Sequence, residues 1–160
     1  KRRLNNNLMM FFTGFTRFSS DVQKANIGTK ETQEGKEKRL LEMLALVDRA
    51  ENILTDKSED LDEFGRLLDH TWKLKKQTGS AVSTNSIDVL YDTGIQAGAL
   101  GGKLLGAGGG GFLVFYVQPE HQESVKEAMK DLLYIPFSFE DGGTRVIHYT
   151  PETYVPLEDR

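Results

Sequence analysis

The chain has 160 residues and a formal net charge of −4, with 38% hydrophobic and 28% charged residues and no cysteine. One domain is expected at that length, burying about 68–70% of its unfolded surface, and a disulfide framework, thiolate metal sites and a cysteine nucleophile are excluded. Wholesale disorder is excluded too, and no apolar run approaches the roughly 20 residues that cross a bilayer, so a cytoplasmic protein without a membrane partner is expected.

The charge divides unevenly. Residues 1–39 carry nine basic and four acidic side chains (+5), residues 40–98 six and eleven (−5), and residues 99–160 five and nine (−4). Part of the basic start is Lys1-Arg2-Arg3, and no basic face follows it, so no nucleic-acid partner is indicated. The absence of any leader pattern fits a cytoplasmic protein, and that of an initial methionine fits a piece of a longer one.

In chain order, the apolar run over residues 8–15 reads as a buried strand, and Ser19 or Ser20 as the cap of a short helix from Asp21. Residues 28–35 read as a polar loop. Leu40, Leu44, Val47, Ala50 and Leu54 repeat at helical spacing, with Leu41, Met43 and Ile53 widening the stripe, which predicts a core-facing helix over 36–54. A second helix is expected from Ser58 or Asp60 to Gly79, with Leu61, Phe64, Leu68, Trp72 and Lys75 on one face and antiparallel to the first. A third begins near Ser86 and carries Ile87, Leu90, Tyr91 and Ile95 inward.

Beyond Gly101 the pattern changes. Residues 103–105 and 112–117 read as strands on either side of a glycine-rich turn, and Pro119 opens a helix with Val125, Met129 and Leu132 inward. Residues 133–139 and 144–149 predict a hairpin around Asp141-Gly142-Gly143. The expected class is α+β, a mostly antiparallel sheet covered on one face by helices.

Ordinary packing does not explain Gly108-Gly109-Gly110-Gly111. Each glycine costs backbone entropy on ordering, so a cluster belongs where side chains would obstruct an approach or where positive φ is needed. A phosphate cradled by backbone N–H groups is one such object, and a plain hairpin turn is another. The spacing Gly106, Gly108, Gly111 satisfies the dinucleotide fingerprint literally, but a strand follows where a helix should. A phosphate-binding lysine motif also fails, because Leu104 follows Gly102-Lys103.

The stretch Gly98-Ala99-Leu100-Gly101-Gly102-Lys103-Leu104-Leu105-Gly106-Ala107-Gly108-Gly109-Gly110-Gly111-Phe112 resembles the third motif of the GHMP small-molecule kinases. Asn85-Ser86-Ile87-Asp88 resembles the start of the helix before that motif. Phe12-Thr13-Gly14-Phe15-Thr16-Arg17-Phe18-Ser19 resembles the sugar branch, which includes heptose 7-phosphate kinases and fucokinases. The resemblance implies a ferredoxin-like C-terminal domain over residues 1–160 and an ATP-dependent kinase acting with Mg2+ on the anomeric oxygen of D-glycero-D-manno-heptose 7-phosphate. The second motif of the family, with its catalytic and magnesium-binding acids, is missing here, which implies that ATP and Mg2+ are bound mainly by an N-terminal domain and that this chain alone transfers no phosphate.

By the same resemblance, Gly106, Ala107, Gly108, Gly109, Gly110 and Gly111 would shape the nucleotide phosphate site. Arg17 is the first candidate for a sugar phosphate because its fork suits phosphate oxygens, with Thr16 beside it and Lys103 after it. A surface ion pair, a strand-end cap and an edge-strand lysine are the plainer readings of these three. His70, His121 and His148 lack partners at ligand spacing, so no metal site is expected. Asp88 and Asp92 share a helical face, and neither is assigned a catalytic role. Two competitors are a stand-alone ferredoxin-like regulatory or interaction domain and an RNA-binding module, the latter opposed by the acidic surroundings of its partial aromatic match.

Overall fold

Five helices and four strands follow one another in a computed structural model that describes residues 1–14, 32–79, 82–106, 109–146 and 148. They are α1 (Arg2–Asn7), β1 (Leu8–Phe12), α2 (Gln33–Thr55), α3 (Asp62–Lys76), α4 (Asn85–Gln96), β2 (Gly101–Leu105), β3 (Phe112–Tyr116), α5 (Gln122–Ala128) and β4 (Leu133–Ile135), with a 3-10 turn at Pro119–His121 before α5. The strands form one antiparallel sheet in the order β2-β3-β1-β4. This is the ferredoxin-like arrangement expected from the sequence.

Alternation along the strands explains the layering. Successive side chains of a strand point to opposite faces. Met9 and Phe11 of β1, Leu104 of β2, and Leu113 and Phe115 of β3 meet Trp72 of α3, Ile87 and Tyr91 of α4, and Val125 of α5 in the main core. Phe115 stands against Phe11 and Tyr91, with ring centroids 6.3 and 5.7 Å apart. Full burial of each such side chain contributes about 1.5–3 kcal/mol. On the opposite face, Leu8 and Tyr116 meet Leu4 of α1, Ile53 of α2, and Phe64 and Leu68 of α3.

The α3 helix lies hard against edge strand β2. A Cβ on Gly101 would stand 2.0 Å from the Gly65 carbonyl oxygen, so the backbones approach there because Gly101 lacks a side chain, while a Cβ on Gly65 would meet the Tyr116 ring at 2.7 Å. Tyr116 is tied in on the same side. Asn7 Nδ2 donates to its hydroxyl at 2.6 Å, and the hydroxyl donates to Asp62 at 2.9 Å.

Three expectations are corrected, and one helix is new. Residues 2–7 form a helix that their polar composition concealed. The α2 helix starts at Gln33, capped by Thr32, so Gly35 is helical rather than part of a loop. Its stripe Leu40, Leu44, Val47 and Leu54 faces outward, with Leu44 60% exposed, while Ile53 and its neighbours pack inward. The hairpin over 133–149 is replaced, among the described residues, by a three-residue strand that pairs with β1 and by irregular chain after it. The physical reason is that β1 offers Leu133–Ile135 a long-range partner, and its edge is taken up there. The short helix expected from Asp21 lies outside the described residues.

Candidate functional site

The glycine loop joins β2 to β3 at one end of the sheet. Gly106, Gly109 and Gly111 have φ of +105°, +73° and +113°, a region that a side chain disfavours, so here glycine is required by the backbone path. Two ties hold the loop. The Gly109 N–H donates to the Val82 carbonyl at 3.2 Å, just before α4. At Gly111 the bonding is reciprocal: its N–H donates to Thr13 Oγ1 at 3.2 Å, and its carbonyl accepts from the Thr13 N–H and hydroxyl, both at 2.9 Å.

Thr13 is therefore a functional candidate that sequence reasoning passed over. It is the buried polar residue at the end of β1, 98 positions from its partner in the chain. Its place inside the Phe12-to-Ser19 motif was the available signal. Through this latch the start of that motif is brought beside the end of the glycine loop. Thr16 and Arg17 lie outside the described residues, as do Ala107 and Gly108.

Next to Thr13 a cavity of about 460 Å³ opens, lined also by Asn85, Ser86, Val89, Leu90 and Leu132. The first turn of α4 forms one wall, with Thr84 Oγ1 accepting from the Ile87 N–H at 3.3 Å. Asp88 Oδ1 accepts from Lys76 Nζ and Ser83 Oγ, each at 3.0 Å. A slightly larger hollow, about 520 Å³ between α1 and the end of α2, lies at the far end of the sheet and touches none of the loop.

Lys103 lies on β2 opposite Val114, half-buried, three residues before the loop. Burial, and after it the charge of Lys103, hold the Lys75 ammonium below the usual lysine range. Tyr91 and Tyr116 are raised, each first by burial and each donating to a carboxylate, with Tyr116 pushed up to about 12.

The donor set fits some groups and not others. No three His, Asp or Glu side chains converge among the described residues. A phosphate suits a loop without Cβ atoms, yet the N–H groups of Gly109 and Gly111 are already bonded within the protein. Those two glycines set the path of the loop rather than serving as donors.

The family profile described as GHMP kinases C terminal matches residues 45–135, which run from α2 through β4. The chain belongs to the GHMP kinases, as their C-terminal domain. It is 31% identical over 142 residues to a D-glycero-alpha-D-manno-heptose 7-phosphate kinase of Campylobacter jejuni, covering 86% of this chain and 40% of that protein. To a mevalonate kinase of Pyrococcus horikoshii it is 38% identical over 88 residues, covering 53% of this chain and 25% of that one. Among solved structures, the mevalonate kinase of L. major in complex with R-mevalonate superposes with a TM-score of 0.65 at 26% identity, over 78% of this chain and 37% of that one. The GHMP domain thus spans about two fifths or less of these relatives.

Proposed function

We propose that this GHMP domain is the C-terminal half of an ATP-dependent sugar-phosphate kinase that transfers the γ-phosphoryl group to the anomeric oxygen of D-glycero-D-manno-heptose 7-phosphate. The products are a heptose 1,7-bisphosphate and ADP. The observation that carries this reading is the likeness to the heptose kinase over 86% of the chain, against 53% for the mevalonate kinase.

Phosphoryl transfer rests on positioning and charge neutralisation more than on covalent chemistry by the protein. ATP and Mg2+ supply the transferred group and the charge that offsets it, held mainly by an N-terminal domain. This domain's share is the loop of residues 106–111, glycine at every position but Ala107, whose small bulk lets a second backbone and a triphosphate come close. Thr13 fixes the end of that loop, while Thr16, Arg17 and Lys103 contact the sugar phosphate.

A coupled ADP-release assay of the whole polypeptide with heptose 7-phosphate, fucose and mevalonate tests the assignment. Turnover of heptose 7-phosphate is expected to exceed the others by at least about 100-fold, or about 2.7 kcal/mol in transition-state binding. Preference for mevalonate overturns it.

A further inference from the structure

One end of the sheet is left uncovered on the face that carries Leu8 and Tyr116. Side chains directly opposite one another on paired strands share a face, so the register can be followed across it. At the Leu8–Tyr116 pair this face is closed by Leu4 of α1, Ile53 of α2, and Phe64 and Leu68 of α3. Four residues further along β1 and β3, Leu105, Phe112, Phe12 and Leu133 form one row through all four strands, each paired directly with the next. Neither core includes any of these four. Leu133 is 64% exposed, Phe112 37% and Leu105 36%, while Phe12 is half-buried with its ring 5.2 Å from that of Phe112.

Single apolar side chains on a surface need no explanation, but a contiguous apolar row across a whole sheet marks a contact site. Its position identifies the occupant. Leu105 immediately precedes Gly106, Phe112 immediately follows Gly111, and Phe12 precedes Thr13, whose N–H and hydroxyl hold the Gly111 carbonyl. The row thus borders the glycine loop along its whole base, and a body that brings a nucleotide to the loop meets the row as well. The chain spans 40% of the heptose kinase and 37% of the L. major mevalonate kinase, so most of a polypeptide of that kind lies outside it. Size argues against a second copy as the occupant, because a stable complex of free partners brings roughly 20–30 residues a side, whereas this row has only Met10 and Ile135 to widen it. A half tied to this domain by the chain needs less area, since the tether itself sets a high effective concentration.

We infer that the row Leu105, Phe112, Phe12 and Leu133 seats the N-terminal half of the same polypeptide, which lies over this end of the sheet and reaches the glycine loop from there. The inference rests on the reading above that such a half carries the nucleotide; it does not depend on which sugar is phosphorylated. Covering the row removes its apolar surface from water, and the reciprocal bonds between Thr13 and Gly111 keep row and loop in one fixed relation.

Introduced cysteines test this, because the chain has none of its own. In the whole polypeptide, Leu133→Cys and, on the outward stripe of α2, Leu44→Cys are alkylated with N-ethylmaleimide, the adduct at each site is followed by mass spectrometry, and each rate is divided by its value in concentrated urea. The two positions are exposed alike in this domain, at 64% and 60%, so a difference between them reports what covers the row. Leu133→Cys should react at least about tenfold more slowly than Leu44→Cys, since it is reached only by local opening. The slowing should survive dilution of the protein, because a tethered contact does not depend on concentration. Leu105→Cys, at the other end of the row, gives the same reading should circular dichroism show Leu133→Cys unfolded. Labelling of the row as fast as of Leu44→Cys overturns the inference, and so does a slowing that dilution abolishes, which is the sign of a second copy. Slow labelling in a protein that turns over no sugar phosphate overturns the substrate reading and supports the seat; fast labelling in an active heptose kinase does the reverse.

Discussion

The hydroxyl of Tyr116 accepts from Asn7 and donates to Asp62, while the carboxylate of Asp62 also accepts from Gln118. Burial first, and then Asp62 against the opposing bond from Asn7, raise the Tyr116 pKa from 10.0 to about 12. The folded state therefore holds a proton that the unfolded chain releases sooner, so the contribution is complete below pH 10 and is lost as pH rises through 12. Urea unfolding at pH 9, 10.5 and 12 should show a steeper loss in the parent than in Tyr116→Phe. The variant itself should cost about 1–3 kcal/mol at pH 7, since Asp62 and Asn7 lose a partner. Glycines separate into two kinds at this scale. Gly101→Ala should cost more than about 3 kcal/mol because its Cβ meets the Gly65 carbonyl oxygen, whereas Gly109→Val strains φ at one loop position. Circular dichroism should show Gly109→Val folded and the kinase assay should show it inactive; equal loss of fold would make the loop a simple turn. The glycine motif was legible in the sequence because its composition is unusual. The Thr13 latch was not, because a hydroxyl gains its partner from a residue 98 positions away.

Periodicity identified α2, α3 and α4 within a few residues, and it also marked which side of α4 is buried. On α2 it failed at the last step. Leu40, Leu44 and Val47 form a correct helical stripe, but α3 packs on the adjacent face and leaves them in solvent. A single substitution on each face separates the two. In thermal unfolding of this chain, Leu44→Glu should shift stability by no more than about 0.5 kcal/mol, whereas Ile53→Ala should cost about 2–5 kcal/mol. A large loss in Leu44→Glu would mean that the stripe is covered. β4 shows the complementary limit. Apolar alternation predicts a strand but not its partner, and Leu133–Ile135 pairs with β1 rather than with the segment that follows it.

For the whole molecule, the decisive quantity is the share of its relatives that the chain spans, 40% of the heptose kinase and 37% of the L. major mevalonate kinase. The described residues offer a glycine loop and a latch, and no cluster of three His, Asp or Glu side chains. The 160-residue chain by itself should release no ADP above background with any of the three sugars and acids named above; measurable transfer would place catalytic groups on this domain. Sequence alone determined the fold class, the order of its elements and the family, because alternation, helical periodicity and a glycine cluster are local patterns that the chain carries in any conformation. Tertiary structure alone decided which face of α2 is covered, where β4 pairs, and that Thr13 closes the glycine loop. Those are contacts between residues far apart in the chain, which no local pattern carries.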